Sequence, residues 1–291
     1  MRFNHLAIVG VGLIGGSFAL AARRAGLADR ITGWGGKNSL AKALADGVID
    51  GIEDAFEGSA VSNADLVYLA APIGGILDFL RCRGKLIKAG AIVTDAGSTK
   101  REICHAAHAS LPPGVHFVGG HPMAGSHKAG IKFARADLFE EAPYALVSSA
   151  RVEAAVSTLT EVVQAIGARL GITTAEHHDR VVARISHAPQ LISTALAGAT
   201  EDSIAEELSR LAGPGFKDMT RLASSPWSIW KDICQTNSDE IAAALGEVIR
   251  ELELTRERVA SGDSAALFDA FQKANHSIRL LRRDRGEDTS E

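Results

Sequence analysis

The chain has 291 residues, of which 46% are apolar and 23% are charged, and its formal net charge is −4. This length allows two domains with substantial cores, and the acidic balance disfavours general nucleic-acid binding, which requires a basic face. The three cysteines are far apart, and the sequence shows neither a secretory leader nor an apolar run of membrane-spanning length. We therefore expect a cytoplasmic protein without disulfides, metal sites, membrane contacts or nucleic-acid contacts.

The first 174 residues alternate short apolar runs with patterns of helical period. Strands are predicted at residues 5–9, 30–34, 65–70, 91–94, 115–118, 144–148 and 169–173, and helices at 13–24, 39–46, from about 75, at 100–109 and at 153–166. Such alternation is typical of an α/β domain with a doubly wound, mostly parallel sheet. In this kind of sheet the turns at the carboxyl ends of the strands converge on one crevice.

Strand signals end after residue 174. Helices are predicted at residues 176–199, 204–211, 228–254 and 264–283, and Pro189 is expected to kink the first of them. We therefore predict an α/β domain over residues 1–174 and an all-α domain over residues 175–291, joined directly by the long helix.

The turn after the first strand has the form of a dinucleotide site. Gly10, Gly12 and Gly15 follow a strand and open a helix, which is the context that the Gly-x-Gly-x-x-Gly fingerprint of Rossmann-type domains requires. The alternative is a chance glycine cluster before a packed helix. Free N–H groups at the helix start can bind a pyrophosphate. The predicted cofactor contacts here and after the third strand are Gly10, Gly12, Leu13, Ile14, Gly15, Ala71, Pro72 and Ile73.

The residues after the second strand bear on the choice between NAD and NADP. A carboxylate at this point would hydrogen-bond the ribose 2′-hydroxyl of NAD, but segment 33–39 contains no acid. Lys37 offers a positive charge to the 2′-phosphate of NADP, helped by Asn38 or Ser39, and Gly35, Lys37 and Asn38 are predicted cofactor contacts. The alternative is a solvated turn lysine. We predict that NADP is preferred, with NAD as the alternative.

Two side chains near the same sheet edge are candidates for catalysis. His121 follows the two glycines that end the fifth strand. A neutral imidazole there can accept the proton of a substrate hydroxyl while the hydroxyl carbon gives up hydride. Ser98, after the fourth strand, can hydrogen-bond either the imidazole or the hydroxyl. The alternative for His121 is a histidine that caps backbone groups of the turn.

The helical half offers groups that could hold a substrate. Residues 213–221 break the helical pattern, and the Arg221 guanidinium matches a carboxylate, with an ion pair to Asp218 or Asp232 as the alternative. His187 on the long helix faces either the cleft or another helix. The remaining paired histidines have no neighbouring ligand group and are interpreted as surface residues of helices: His105, His108, His177 and His178.

Five segments share one resemblance. They are residues 10–17, 95–100, 121–126, 186–189 and 213–221, which read GVGLIGGS, DAGSTK, HPMAGS, SHAP and GPGFKDMTR. In this order they resemble the motifs of prephenate/arogenate (cyclohexadienyl) dehydrogenases across nearly the whole chain. The resemblance implies a Rossmann-type domain followed by an all-α domain for substrate binding and dimerisation, and hence a homodimer.

The resemblance also implies NAD(P)-dependent oxidative decarboxylation in tyrosine biosynthesis. Hydride would leave the ring carbon that bears the hydroxyl, and loss of the ring carboxylate would give 4-hydroxyphenylpyruvate from prephenate or tyrosine from arogenate. In this scheme His121 accepts the hydroxyl proton, Ser98 orients both groups, and Arg221 holds a substrate carboxylate. Trp230 would reach the partner subunit's site or pack in the core. The other residues implied in substrate binding are Gly213, His187 and Gln190.

Two departures from the family pattern bear on the substrate. Many prephenate-using relatives have a histidine where Gln190 stands, and many have an acid where this chain has His127. A carboxamide can accept a hydrogen bond from an ammonium group, as arogenate would offer. The sequence therefore favours arogenate over prephenate.

Two alternatives come from other classes of protein. A β-hydroxyacid-type dehydrogenase would usually have a lysine on the interdomain helix, where this chain has Arg180, Arg184 and His187 but no lysine. A non-catalytic NADP-binding sensor or assembly protein would bind the cofactor without turnover and leave the predicted catalytic residues unused.

Overall fold

The computed structural model describes residues 1–52, 59–125, 128–148, 152–200, 207 and 210–283. The chain forms two compact units, Met1–Ile241 and Ala242–Glu291. Within the first unit the last strand ends at Thr173 and helices follow it. The change to helical structure thus falls where the sequence pattern changes, while the division into domains at residue 174 remains a prediction.

An eight-stranded sheet forms the core of the first unit. Its spatial order is β3-β2-β1-β4-β5-β6-β7-β8, and all neighbouring strands are parallel except β6 and β7. The doubly wound, mostly parallel sheet is therefore confirmed, with one short strand, β3, that the sequence pattern did not predict. The strands are β1 Phe3–Val9, β2 Ala28–Trp34, β3 Gly51–Ile52, β4 Leu66–Leu69, β5 Ile92–Asp95, β6 His116–Pro122, β7 Pro143–Val147 and β8 Arg169–Thr173.

The strand order reverses between β1 and β4. The chain runs from β1 through β2 and β3 on one side and then returns to place β4 on the other side of β1. Ligands of open α/β sheets bind at such a switch point, outside the carboxyl ends of the strands. The turns after β1 and β4 are therefore the expected cofactor site.

Helices cover the sheet and form most of the described chain after residue 174. They are α1 Leu13–Arg24, α2 Lys37–Ala45, α3 Ser59–Asn63, α4 Ile73–Arg83, α5 Arg101–Ser110, α6 Glu153–Ala165, α7 Ala175–Val182, α8 Ala188–Gly198, α9 Pro214–Thr220, α10 Trp227–Thr236, α11 Ser238–Ser261 and α12 Ser264–Arg283. Most of the helix predicted at 204–211 lies outside the described residues. Across the described ranges, no helix combines the length and apolarity that crossing a bilayer requires.

The central strands are apolar because helices cover both faces of the sheet. All four residues of β4, Leu66–Leu69, are buried. Tyr68 stacks on Phe18 of α1 with 3.7 Å between ring centroids, and its hydroxyl accepts a hydrogen bond from Tyr144 of β7 at 3.4 Å. The stacking fixes α1 against β4, and it thereby sets the position of the glycine turn that precedes α1.

The long helix predicted over residues 176–199 is interrupted near its proline. A π-helical turn, Ala183–His187, separates α7 from α8. Pro189 lies in the first turn of α8, where its missing N–H is tolerated. The helix is therefore interrupted by a π turn that ends two residues before the proline, while the expected kink stays a prediction.

The single helix predicted over residues 228–254 is wrong. α10 ends at Thr236 and α11 begins at Ser238, because Asn237 leaves the helical conformation with a φ of −138° and a ψ of 29°. Asn237 is fully buried, and its Nδ2 donates to the backbone oxygen of Asp179 at 2.8 Å. The side-chain hydrogen bond of Asn237 thus accompanies a one-residue break in the helical conformation.

Candidate active site

The turn between β1 and α1 allows a very close approach of backbone to backbone. Gly10 has a φ of +96°, and a Cβ there would lie 2.5 Å from the backbone N of Ala71. A Cβ on Gly15 would lie 2.1 Å from the Gly10 oxygen, whereas a Cβ on Gly12 would meet no protein atom within 4 Å. The fold therefore requires two of the three glycines, and the third borders open space at the start of α1.

That open space lies where the predicted contact with a dinucleotide pyrophosphate would be made. Gly12 is the N-cap of α1 and makes no side-chain hydrogen bond to the first N–H groups of the helix. Helix N-termini of this kind bind phosphate through their backbone N–H groups. The turn at residues 71–73 lies against Gly10, because the Gly10 position is in close contact with Ala71. The predicted contacts after β1 and β4 are thus brought together at the switch point.

The predicted specificity segment lies beside the same turn. The Gly10 N donates to the oxygen of Trp34 at 2.8 Å, and a Cβ on Gly35 would lie 3.8 Å from the Gly10 Cα. α2 begins at Lys37, and no side chain caps its N-terminus. Lys37 and Asn38 are exposed, so their side chains are accessible from solvent.

A buried carboxylate connects the two segments that carry the predicted catalytic residues. Asp95, at the end of β5, accepts Gly97 N through Oδ2 at 2.8 Å and Gly120 N through Oδ1 at 3.0 Å. Lys100 Nζ pairs with the same carboxylate, and both side chains are fully buried. One side chain therefore fixes the backbone directly before each of the two candidates.

His121 lies inside β6. The predicted strand 115–118 is too short, because β7 pairs antiparallel with β6 from Gly119 to Pro122 and so extends it past the glycines. His121 is 8% exposed. Burial lowers its pKa well below the usual range, and His178 and Lys100 act in the same direction. The imidazole is therefore neutral near neutral pH.

His121 is the first member of a hydrogen-bonded triad, His121–His178–Asp179. The Nδ1 of His121 lies 2.8 Å from the Nε2 of His178, and the Nδ1 of His178 lies 2.8 Å from Oδ1 of Asp179. His178 is 4% exposed and Asp179 is fully buried. The triad leaves Nε2 of His121 as the ring nitrogen without a partner among the described residues.

The interpretation of His178 as a surface residue is therefore wrong. α7 buries four residues at a spacing of three and four, which is the inward face of a helix: Ala175, His178, Asp179 and Val182. This stripe is visible in the sequence and could have identified His178 and Asp179. The three other paired histidines are exposed, as predicted: His105, His108 and His177.

Asp179 is anchored at the N-terminus of α5. Its Oδ1 accepts Lys100 N at 2.7 Å, and its Oδ2 accepts Arg101 N at 2.9 Å. Burial opposes ionisation of this carboxyl, but the hydrogen bonds from His178 and from the two backbone N–H groups outweigh burial and lower its pKa. Asp179 is therefore a carboxylate held at the positive end of a helix.

His187 and Trp230 lie together. His187 is 1% exposed, its Nδ1 is 3.3 Å from Nδ2 of Asn237, and its ring packs edge-on against Trp230 with 6.0 Å between centroids. Burial lowers the pKa of His187 to about 4. Trp230 thus contacts His187 of its own chain, and its contribution to the partner subunit's site remains a prediction.

Gln190 supports the segment that carries Arg221. It is 4% exposed, and its Nε2 donates to the oxygen of Leu222 at 2.7 Å. Leu222 belongs to the 3-10 turn Arg221–Ser224, which follows α9, and Gly213 is the N-cap of α9. One predicted substrate residue, Gln190, is therefore hydrogen-bonded to the residue that directly follows another, Arg221.

Arg221 itself is exposed. Among the described residues, neither Asp218 nor Asp232 forms an ion pair with it. Asp232 instead accepts Gly74 N at 2.7 Å, at the N-terminus of α4. The guanidinium therefore remains available for a substrate carboxylate.

Ser98 and His127 stay predictions. Ser98 is half-buried on the segment that Asp95 holds, but within the described chain no hydrogen bond joins it to His121, whose Nδ1 contacts His178 instead. His127 lies outside the described residues. Sequence reasoning missed Asp95, His178 and Asp179, each of which also has a partner in a distant part of the chain: Gly120, His121 and the start of α5 respectively.

Comparisons with known proteins cover both halves of the chain. Residues 18–172 match the family model described as prephenate dehydrogenase, nucleotide-binding domain, and residues 174–273 match prephenate dehydrogenase, dimerization domain. Over 279 residues the chain is 37% identical to a prephenate dehydrogenase of Bacillus subtilis (strain 168), covering 93% of this chain and 74% of that protein. Over 292 residues it is 31% identical to a cyclohexadienyl dehydrogenase of Zymomonas mobilis, covering 97% of each.

A solved structure shows the same architecture. The crystal structure of prephenate dehydrogenase from A. aeolicus in complex with hydroxyphenyl propionate and NAD+ matches with a TM-score of 0.88 and 26% identity, covering 97% of this chain and 99% of that one. The sequence matches, the domain models and the fold all agree. The chain therefore belongs to the prephenate dehydrogenase family.

Proposed function

We propose that the chain catalyses the oxidative decarboxylation of a cyclohexadienyl substrate with NADP preferred over NAD and arogenate preferred over prephenate. As a member of its family, it is a nicotinamide-dependent dehydrogenase of tyrosine biosynthesis. The observation that carries the proposal is the buried, neutral imidazole of His121, which lies on the sheet whose edge holds the dinucleotide turn.

His121 is proposed as the base. Because its Nδ1 contacts His178, Nε2 is the nitrogen that accepts the proton of the ring hydroxyl as the carbon–oxygen bond gains carbonyl character. The bound nicotinamide supplies the hydride acceptor. Ser98 hydrogen-bonds the same hydroxyl and so orients it toward the base.

Arg221 is proposed to hold a substrate carboxylate through its forked N–H groups, since its guanidinium is exposed and has no ion-pair partner in the described chain. The ring carboxylate leaves as CO2 because its loss makes the ring aromatic. The reaction therefore needs no additional acid from the protein.

The preference for arogenate rests on Gln190. Its Nε2 donor is engaged by the Leu222 oxygen, which leaves the amide oxygen as the group to face a ligand. An amide oxygen accepts a hydrogen bond from an ammonium group. This orientation supports recognition of the amino group of arogenate near Arg221.

The preference for NADP rests on the start of α2. Lys37 is the first residue of that helix, and its N-cap residue, Gly36, makes no side-chain hydrogen bond, so a positive charge coincides with a helix N-terminus that its own N-cap does not cap. Both features favour a phosphate. The segment contains no carboxylate that would repel the phosphate or bind a ribose hydroxyl instead.

Self-association as a homodimer is proposed through the helical half. Residues 174–273 match a dimerization domain. The second unit exposes large apolar side chains, including Phe268 at 62% and Phe271 at 70%. Exposed apolar surface of this kind is typical of an interface between protein chains.

The test is turnover with each of the four combinations of NAD+ or NADP+ with prephenate or arogenate, followed by the absorbance of the reduced nicotinamide. We expect the highest kcat/KM with NADP+ and arogenate. No turnover in any combination would contradict the proposed activity. Gln190→His should move the substrate preference toward prephenate, and an unchanged preference would contradict the role of Gln190. Lys37→Ala should weaken the binding of NADP+ without weakening the binding of NAD+, and unchanged NADP+ binding would contradict the role of Lys37.

A further inference from the structure

We propose that His178 and Asp179 are positioning residues that fix the tautomer of His121, so that its Nε2 carries the lone pair that faces the substrate. This inference rests on the proposed role of His121 as the base. It is carried by the geometry of the triad, in which two contacts of 2.8 Å connect three side chains that are nearly or fully buried.

Donors and acceptors along the triad can be assigned starting from Asp179. Its carboxyl is ionised, because the hydrogen bonds that it accepts at the start of α5 outweigh the cost of burial and lower its pKa. An ionised carboxylate can only accept. The Nδ1 of His178 must therefore be the donor toward Asp179.

The next step takes His178 as a neutral imidazole, in which one ring nitrogen donates and the other accepts. With its proton on Nδ1, His178 presents a lone pair at Nε2. The Nδ1 of His121 lies 2.8 Å from that atom and must donate to it. The proton of His121 is thereby held on Nδ1, and Nε2 is left as a base.

The triad is anchored at two places outside its own strand and helix. The Asp179 carboxylate accepts the N–H groups of Lys100, the N-cap of α5, and of Arg101, its first residue. The backbone oxygen of Asp179 accepts Nδ2 of Asn237 at the break between α10 and α11. The start of α5 directly follows the segment that carries Ser98. The same carboxylate therefore holds the position of His178 and of the segment next to the other predicted catalytic residue.

A merely structural role for His178 gives a different expectation. If the side chain only filled space, an apolar residue of similar size would replace it well, because its surroundings include Val182 and Tyr144 around an apolar groove. If its Nε2 matters as an acceptor, a glutamine should do better, since its Oε1 can lie where Nε2 lies. His178→Leu and His178→Gln therefore separate the two roles.

The kinetic test compares these variants with His177→Gln, a neighbouring exposed histidine that serves as the control. We expect kcat to fall about 10- to 100-fold in His178→Leu, as when outer partners of a functional histidine are lost, with the KM for cofactor unchanged. His178→Gln should recover much of that loss, and His177→Gln should match the wild type. Equal or better activity of His178→Leu relative to His178→Gln would overturn the proposal.

The direct test does not depend on turnover. Nitrogen-15 NMR of the ¹⁵N-histidine-labelled protein distinguishes a protonated ring nitrogen from a bare one, and His121→Asn identifies the His121 signals among the ten histidines. We expect Nδ1–H with a bare Nε2 in the wild type and in His178→Gln, and a mixture of tautomers in His178→Leu. A wild-type His121 with its proton on Nε2 would overturn the proposal. Such a result would leave the dehydrogenase activity itself untouched.

Discussion

The two parts of the active site are built from different groups. The cofactor edge, formed by the turns after β1, β2 and β4, consists of backbone: glycines at close approaches and uncapped helix N-termini. The catalytic corner, formed by Asp95, Lys100 and the triad, consists of buried polar side chains, some of which are 79 residues apart in the chain. The first part should be sensitive to added atoms, and the second to the loss of any polar partner.

The largest effect is expected at the catalytic corner. His121→Asn keeps a polar group near His178 but removes the accepting nitrogen, so kcat should fall about 100- to 10,000-fold with cofactor affinity unchanged. Absorbance of the reduced nicotinamide gives the rate, and a cofactor titration gives the affinity. His116→Asn, an exposed histidine at the start of the same strand, is the matched control. A nearly normal rate in His121→Asn would show that another group is the base.

At the cofactor edge, Gly12→Ala should weaken binding without affecting folding. The φ of Gly12 is −102°, and its Cβ would meet no protein atom within 4 Å, but the methyl would enter the space assigned to the pyrophosphate. We expect the Kd for cofactor to rise about 10- to 100-fold, equivalent to about 1–3 kcal/mol of overpacking.

Gly15→Ala is the contrasting variant, because its Cβ would lie 2.1 Å from the Gly10 oxygen. It should lower the free energy of unfolding even without cofactor, as measured by urea denaturation. If Gly12→Ala binds cofactor as tightly as the wild type, the assignment of this space to the pyrophosphate is incorrect.

Acid should destabilise the helices beside the triad through His187. Its pKa is about 4 in the folded chain, against 6.5 as the reference value, so the unfolded state binds the proton first as the pH falls. The contribution of neutral His187 to the free energy of unfolding is fully present above about pH 6.5 and is lost as the pH falls toward 4. The loss amounts to about 2 kcal/mol between about pH 7 and pH 5.

His187→Asn tests this, since its Oδ1 can replace Nδ1 beside Asn237. In this variant the free energy of unfolding should fall less between about pH 7 and pH 5 than in the wild type. Some decrease should remain, because the pKa of His121 is lowered as well. Urea unfolding at both pH values measures the difference. If the free energy of unfolding fell by the same amount in the variant and in the wild type, a group other than His187 would cause the loss of stability in acid.

The smallest effect is expected where the network reaches solvent. Arg101 Nη1 donates to Asp239 Oδ2 at 2.7 Å, and this hydrogen bond lowers the pKa of Asp239 to about 2. Asp239 is nevertheless 62% exposed, so solvent screens the pair. Asp239→Ala should cost less than about 1 kcal/mol of stability and leave kcat unchanged. A marked loss of kcat would extend the catalytic corner to the surface.

The same contrast explains what the sequence could predict. The cofactor edge was predictable because a turn that needs positive φ or close approach selects glycine locally, as at Gly10 and Gly15. The alternation of strands and helices likewise predicted the sheet, except for the two-residue β3. These features depend on residues that are neighbours in the chain.

The catalytic corner depends on contacts that no local pattern shows. The stripe that includes His178 and Asp179 marks an inward face of α7, but only the packed structure shows that it meets His121 and the start of α5. The extension of β6 needs the antiparallel partner β7, and the break at Asn237 needs the distant oxygen of Asp179.

The central claim is that the cofactor edge determines cofactor affinity and the catalytic corner determines the rate of the chemical step. Single-turnover kinetics, with cofactor varied at saturating substrate, measures both in one experiment for the wild type, Gly12→Ala and His121→Asn. We predict that Gly12→Ala reaches the wild-type limiting rate at higher cofactor concentrations, while His121→Asn saturates at wild-type concentrations with a limiting rate at least about 100-fold lower. The account would be contradicted if both variants changed the same one of these two quantities.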